Sequence, residues 1–305
     1  MEFVNELFEK YEIRKNKKQK TQFIEWVKGM ALDKGWAFNV EKGSFGTRNI
    51  VIGDVDKAKI VFTAHYDTCA VLPFPNFITP KNFLVYLIYQ IFICLVIFVP
   101  MWIFQFIGFV LLPDYFEIVN LLSSGVLLLF VFLIMFGPAN KHTANDNTSG
   151  VATILGLLNE FKSTDDVALV LFDFEEIGLV GSSSFASKHK AVMKDKILIN
   201  FDCVSDGRYM LFVLNKKTSY LVGDFKESFV SNKDIDVEIV TKGVFYPSDQ
   251  ACFKKGIGVC ALKKNKIFKS GYMDRIHTIK DTVFRKENIE FLVDGSRKLY
   301  NLISK

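Results

Sequence analysis

Cysteine is thin in this chain and never falls at metal-binding spacing. Cys69, Cys94, Cys203, Cys252 and Cys260 stand apart with no Cys-x-x-Cys, and Cys94 lies inside an apolar run. This argues against disulfide frameworks and thiolate-zinc modules. Histidine is rarer still, with four residues, and the net charge is only +5 with no long basic block interleaved with aromatics. Nucleic-acid binding is therefore not expected. The first twenty residues, MEFVNELFEKYEIRKNKKQK, are charged and amphipathic without an apolar centre, so they do not read as a secretory signal. Unpaired cysteines and the missing signal both fit a folded portion kept in a reducing cytoplasm.

Charge is missing altogether from two long stretches. Asn82 to Pro113 is 32 residues and Ile118 to Asn140 is 23, neither with an acid or a base. Each exceeds the roughly 20 apolar residues that cross a hydrocarbon core of about 30 Å. Half of the chain is hydrophobic and the mean hydropathy is +0.22, high for a protein wholly in water. Phe83 to Leu112 is apolar on every side rather than along one stripe, as a membrane span is and a half-buried helix is not. Pro100 is placed to kink or split the first span. The loop between the spans, PDYFE, carries two acids and no base, whereas Lys81 and Lys141 flank the pair and a basic run (Arg14, Lys15, Lys17, Lys18, Lys20) lies beyond. The positive-inside rule puts that loop outside and both flanks in the cytoplasm. The basic run itself reads as a solvated helix face or an anionic-lipid contact.

The remaining chain alternates strand and helix patterns, which predicts an α/β fold. Strands are expected at Asn49 to Ile52, Lys59 to Ala64, Val167 to Phe172, Lys196 to Phe201, Tyr209 to Leu214, Val237 to Val240 and Ile257 to Leu262. Helices are expected at Thr21 to Leu32, Ser149 to Phe161, Ser183 to Val192, Ser219 to Ser231, Asp249 to Lys255 and Lys286 to Ile303.

The chemistry gathers where these elements end. The strand from Val167 runs straight into Asp173, Glu175 and Glu176, followed by Gly178 and Gly181. Two neighbouring glutamates point in different directions, so one can hold a metal while the other meets its water. Alone, the pair reads equally as a solvated acidic turn. A second strand ends in His65-Tyr66-Asp67, where an aspartate two positions on can fix the imidazole tautomer. Asp146 precedes a helix start, with Asn147, Thr148 or Ser149 as caps. Asp202 ends a third strand, and His277 sits in a polar loop before the last helix. His189 reads as solvated, and His142 borders the membrane with no role. His65, Asp146, Glu176, Asp202 and His277 together form an inventory that suits two zinc ions sharing one carboxylate.

In order and local sequence the chain resembles the zinc aminopeptidase family that includes bacterial leucyl-type aminopeptidases, glutamate carboxypeptidase and glutaminyl cyclase. The resemblance runs through His65-Tyr66-Asp67, Asn145-Asp146-Asn147-Thr148-Ser149-Gly150, Glu175-Glu176-Ile177-Gly178-Leu179, Asn200-Phe201-Asp202, Ser248-Asp249 and Ile276-His277-Thr278 with Asp281-Thr282. It implies a three-layer fold about a mixed sheet. It also implies Asp146 as the bridging ligand, His65 and Asp202 on one zinc, Glu176 and His277 on the other, Glu175 as general base and Asp67 orienting His65. Tyr246 takes the place of a phenol that helps stabilise the oxyanion. Where many relatives have a histidine after Ser-Asp, this chain has Gln250.

Soluble relatives join the His-x-Asp strand to the Asp146 turn by a short loop, and here that loop holds both apolar stretches. The expected division is thus residues 1–81 as the first part of a peptidase domain, 82–140 as an inserted membrane hairpin (spans about 83–112 and 118–138) and 141–305 as the rest. The apolar stretches and their charged flanks imply an integral protein of the cell membrane with its site on the cytoplasmic side, and the resemblance implies that this site hydrolyses peptides, above all as an aminopeptidase. The alternatives are a glutaminyl cyclase-like acyltransferase and an inactive membrane scaffold. Cys69 to Thr79 is expected to touch the headgroups or line a substrate groove through Leu72, Phe74, Phe77 and Ile78, which suits hydrophobic or membrane-delivered peptides.

Overall fold

The computed structural model describes residues 3–304. Helices α1 (Phe3–Tyr11) and α2 (Lys17–Asp33) lead into strands β1 (Phe38–Lys42), β2 (Arg48–Gly53) and β3 (Ile60–His65). Helices α3 (Phe83–Leu111) and α4 (Phe116–Phe136) follow, then α5 (Gly150–Glu160) and β4 (Val167–Phe172). The chain continues through α6 (Val180–Lys188), α7 (Lys190–Met193), β5 (Ile197–Phe201), β6 (Tyr209–Val213), α8 (Val222–Ser228), β7 (Asp236–Val240), β8 (Gly256–Leu262) and α9 (Lys286–Ile303).

All eight strands form one mixed sheet in the order β1-β2-β4-β3-β5-β8-β6-β7. Its centre, β4-β3-β5-β8, is parallel, while β2 runs antiparallel to β4 and β6 antiparallel to β8. Successive side chains of a strand face opposite sides, and both sides here are covered. Ile50, Ile52, Ile60, Phe62 and Ala64 pack with residues of α2, α5 and α9, whereas Val51, Val61, Val170 and Phe172 pack with Phe185, Met193 and Phe253. Central strands buried on both faces explain the unbroken apolar runs that mark them in the sequence. The chain leaves β3 for β4 on one side and β5 on the other, and such a reversal opens a crevice at the carboxyl ends of the strands.

Several local expectations change. Strand β1 is not among the expected strands: its alternation, Phe38-Asn39-Val40-Glu41, is only four residues long, and it is an edge strand held by β2 alone. Helix α2 begins earlier than expected, at Lys17, because Asn16 and Gln19 form a reciprocal capping box. Asp249 to Lys255 keeps only a short 3-10 turn, Asp249–Cys252. His189 is not solvated: its Nε2 lies 3.0 Å from Glu41 Oε2. The basic run is not a solvated face throughout, since Arg14 and Lys20 are buried. The Arg14 guanidinium donates to the carbonyls of Tyr11, Glu12 and Tyr66 and to Thr148 Oγ1. Burial without a paired carboxylate lowers its pKa to about 10. Lys20 Nζ donates to Asp173 Oδ1 at 2.5 Å and lies 3.9 Å from the Phe174 ring centroid.

Helices α3 and α4 stand apart from the sheet. Both are long and apolar enough to cross a membrane, and none of the most apolar window of α3 is buried. Seventeen large hydrophobic side chains on α3 and twelve on α4 are exposed. At roughly 1.5–3 kcal/mol for each full side chain, water around them would cost tens of kcal/mol, more than the roughly 5–15 kcal/mol that holds a domain folded. Pro100 does not split α3, which runs unbroken from Phe83 to Leu111. The hairpin is pinned by Gln105 Nε2 donating to Asn120 Oδ1 at 3.0 Å. A Cβ on Gly108 would come within 2.5 Å of Val119, so glycine permits this approach of the two helices.

The exit of α4 is fastened to the sheet. Val71 N donates to Pro138 O, Asn140 N donates to Cys69 O, and Lys15 Nζ reaches the carbonyl of Met135 at 2.9 Å. Removing one partner of a buried ion pair typically costs about 3–5 kcal/mol. Lys20→Met is therefore expected to destabilise the fold by about that much, and Lys20→Met with Asp173→Leu by clearly less, as read by denaturant titration in detergent. Equal losses in the two variants would mean that the unpaired Asp173 charge is not the cause.

Candidate metal centre

Three adjacent parallel strands deliver the site at their carboxyl ends. His65 is the last residue of β3, Glu175 and Glu176 follow β4, and Asp202 follows β5. Asp146 comes from the tight turn Ala144–Ser149 that precedes α5, and His277 from the loop before α9. The turn is fixed from several sides. Asn147 Oδ1 accepts from Gly150 N and Cys203 N, so Asn147 is the residue that caps this helix start. Asn145 Oδ1 accepts from Ser205 N and Asp206 N. A Cβ at Gly150 would lie 2.3 Å from Phe201 O, so only glycine lets the start of α5 press against β5. Phe174, Cys203 and His277 have positive φ of 56°, 55° and 64°. Such strain gathers where surrounding structure dictates a functional geometry.

All five expected ligands meet. The two oxygens of Asp146 face two different partner pairs. Oδ1 is 3.3 Å from His65 Nε2, which is itself 3.5 Å from Asp202 Oδ1. Oδ2 is 3.2 Å from His277 Nε2, which is 3.3 Å from Glu176 Oε2. The cluster falls into two half-sites joined by one carboxylate. Ligating atoms of His65, Asp146 and Asp202 lie within 4.8 Å of one another, as do those of His65, Glu175 and Glu176.

Asp67 does more than its offset suggests. Its carboxylate stands 3.6 Å from His65 Nδ1 and also accepts from the backbone N–H groups of Glu175 at 3.0 Å and Glu176 at 3.3 Å. Asp67 thus meets the imidazole through its backbone carbonyl, 3.1 Å from His65 Nδ1, and holds the loop bearing both glutamates through its carboxylate. Asp281 plays the same part for Asp146, accepting from Asn145 N at 2.8 Å and Asp146 N at 3.0 Å. Burial raises its pKa to about 7. Tyr246 is buried beside Asp202 and its hydroxyl donates to the Asp202 carbonyl at 2.9 Å. Gln250 is spent on structure, donating to Tyr246 O and accepting from Asn200. Cys69 adds a buried thiol within 4.8 Å of Glu176 and His277. Sequence reasoning gave no role in the site to Asp281, Cys69 or Arg14; Asp281 was marked only by its place in the Asp281-Thr282 motif of the resemblance, and Arg14 only as one of a basic run.

The electrostatics call for cations. Burial, and then the neighbouring carboxylates, push Glu175 and Glu176 well above the usual range even though His65 opposes the shift. Burial raises Asp249 to about 7 as well. Asp146 is held below its ordinary range against burial, because it is hydrogen-bonded to His277 and His65. His65 rises well above its usual value despite burial, drawn up by Glu175, Asp146 and Asp202. Glu176 Oε1 and Asp202 Oδ1 are buried with no hydrogen-bond partner among the described residues. A native fold rarely leaves such acceptors unmet. A hard or borderline dication in each half-site would meet them, and the mixed imidazole and carboxylate donors fit zinc.

Two clefts open beside the cluster. One of about 480 Å³ lies between Leu72, Pro73, Pro75, Thr278 and Ile279, and Leu72 N donates to the carbonyl of His277. The other, of about 320 Å³, lies between Lys15, Asn16, Met135, Gly137 and Glu176.

Comparison with known proteins bears on the family and the fold. The family model described as Peptidase family M28 matches residues 131–291, just over half of the chain. No curated protein matches. Among solved structures, the LapA aminopeptidase of Legionella pneumophila is 15% identical with a TM-score of 0.59, covering 100% of this chain and 71% of that one. A glutaminyl cyclase of Bacteroides thetaiotaomicron, solved with N-acetylhistamine, is 14% identical with a TM-score of 0.58, covering 98% and 95%. At such identities the likeness is one of fold.

Removing an outer residue that orients ligands typically costs about 10–100-fold in metal affinity. Asp67→Ala is expected to weaken zinc binding by about that much in a chelator competition, since it frees the backbone N–H groups of both glutamates and removes the carboxylate beside His65. Unchanged affinity would show that the glutamate loop holds its place without Asp67.

Proposed function

The chain belongs to peptidase family M28, and on that premise we propose that it is a membrane-anchored exopeptidase with two zinc ions, above all an aminopeptidase. The observation that carries this reading is the division of Asp146, whose two oxygens each face one histidine and one acid. His65 and Asp202 would hold one ion, Glu176 and His277 the other, and Asp146 both. When bound, two zinc ions act as Lewis acids and lower the pKa of a water towards about 7.

The chain's own groups supply the rest. Glu175 lies half-buried beside His65 and Glu176; it takes the proton of the attacking water and returns it to the leaving amine. Asp67 keeps Glu175 in place through its backbone N–H. Tyr246 is positioned to stabilise the developing oxyanion once its hydroxyl turns from the Asp202 carbonyl.

Residues 82–140 form the inserted hairpin between the two parts of the peptidase domain, 1–81 and 141–305. Lys81, Lys141 and the exposed Lys17 and Lys18 flank it, against Asp114 and Glu117 in its loop, which supports a cytoplasmic site and an external loop. The substrates would be peptides, with a preference for hydrophobic or membrane-delivered ones, which the apolar Leu72 cleft favours. Equal turnover of soluble and bilayer-bound peptides of one sequence would contradict that preference.

A glutaminyl cyclase-like acyl transfer is the second reading, favoured by the likeness over nearly the whole length of a cyclase; two complete half-sites weigh against it. A peptide with N-terminal glutamine separates the two, releasing free glutamine in one case and ammonia in the other. Zinc near two per chain would also set aside an inactive scaffold.

Glu175→Gln is expected to keep zinc and to lower kcat by about 10²-fold or more, whereas Asp146→Ala should lose metal from both half-sites. Full activity in the Glu175 variant would remove it from the role of base.

A further inference from the structure

The loop between β8 and the His277 segment, Lys263 to Tyr272, reads KKNKIFKSGY and belongs to neither the sheet nor the metal cluster. It is fastened to the foot of α3. Phe268 packs on Phe77 at 5.4 Å between ring centroids and on Tyr272 at 5.4 Å, and Phe77 packs on Tyr89 at 5.3 Å. Tyr89 also donates to Pro75 O at 2.6 Å. On the same helix, Phe83 and Tyr86 hold Phe245 at 5.2 and 5.5 Å. The folded portion thus grips α3 from Phe83 to Tyr89.

Helix length then fixes the level of the loop. At 1.5 Å per residue, the 21 residues of α4 span about 31 Å, which matches a hydrocarbon core of about 30 Å. The 29 residues of α3 span about 43 Å at the same rise. The surplus of about 13 Å falls on the end that protein side chains already cover, the first two turns, so Tyr89 lies at the depth of the headgroups. Phe268 is one ring removed from Tyr89, so the loop lies at that depth too.

Its exposed chemistry suits that place. Ile267 is 82% exposed. Lys263 is paired with Asp274 and Asp206, and Lys264 with Glu238, but Lys266 and Lys269 have no ion pair among the described residues. An apolar tip between two free ammonium groups, over a collar of aromatic rings, is complementary to a leaflet rich in anionic phospholipid. We infer that residues 263–272 form a second membrane contact, in which Ile267 enters the headgroup layer and Lys266 and Lys269 engage anionic lipid. This contact would fix the tilt of the catalytic portion on the bilayer. It rests on the membrane-anchored reading of α3 and α4.

The test uses the full chain in lipid nanodiscs. Ile267→Trp is compared with Tyr220→Trp, which lies past the end of β6 opposite its Tyr209–Lys264 contact, and with native Trp102 within α3. Brominated phosphatidylcholine should quench the added Ile267→Trp emission at least twofold more than that of Tyr220→Trp. Adding phosphatidylglycerol should deepen the quenching at position 267, and Lys266→Glu with Lys269→Glu should abolish that increase. Quenching of Trp102 but not of Ile267→Trp would overturn the loop contact alone. Failure to quench Trp102 would overturn the membrane span and the loop contact together. Quenching at 267 that ignores lipid charge would overturn the part assigned to the lysines.

Discussion

The rest of the structure turns on a crowding of negative charge. Asp67, Asp146, Asp202 and Asp249, all buried, and the half-buried Glu175 and Glu176 are gathered in one cluster with only two imidazoles among them. Carboxylates so placed cannot all remain ionised in a medium of low dielectric unless positive charge stands between them. Much of the architecture serves to hold them there regardless. Three parallel strands bring the groups to one edge, Asp67 and Asp281 fasten the loops by their backbone N–H groups, and positive φ angles at Phe174, Cys203 and His277 set the final directions. A cluster assembled at this cost to stability is a site first and a stabilising element second.

How much of this was legible in the sequence depends on distance along the chain. Buried parallel strands announce themselves as apolar runs, and a carboxylate just after such a run marks a strand end. His65, Glu175, Glu176 and Asp202 could be placed for that reason, and the structure brings them together with Asp146 and His277. The features that escaped have no local signature. Arg14 looks like any solvated base until Thr148, 134 residues away, and the carbonyl of Tyr66 are seen to need its donors. His189 gives no sign of Glu41. The second task of Asp67, holding the glutamate loop, appears only when β3 and β4 lie side by side. Edge strand β1 and the shortened turn at Asp249–Cys252 were lost because propensity is weak where tertiary packing decides.

The apolar helix pair between β3 and β4 is the other organising feature. Strands before and after the apolar hairpin share one sheet, with β3 and β4 in register from Ile60 to His65. The hairpin therefore interrupts the chain without interrupting the fold, as a connection made over the surface can. Its return is short: the last residue of α4, Phe136, is ten positions before Asp146, and the span between is tied to Cys69, Val71 and Thr278. Arg14 and Lys15 complete the fastening from the N-terminal side.

That short return changes how such a centre would meet its targets. Ten residues extend no more than about 36 Å, so on the proposed membrane-anchored reading a centre hung from Phe136 would patrol a thin shell along the lipid plane. On that reading, encounters with other bilayer residents would become a search in two dimensions. A tail projecting from a neighbouring membrane protein could then be trimmed only as far as that tether allows, leaving a stub whose length is set by the geometry of the hairpin.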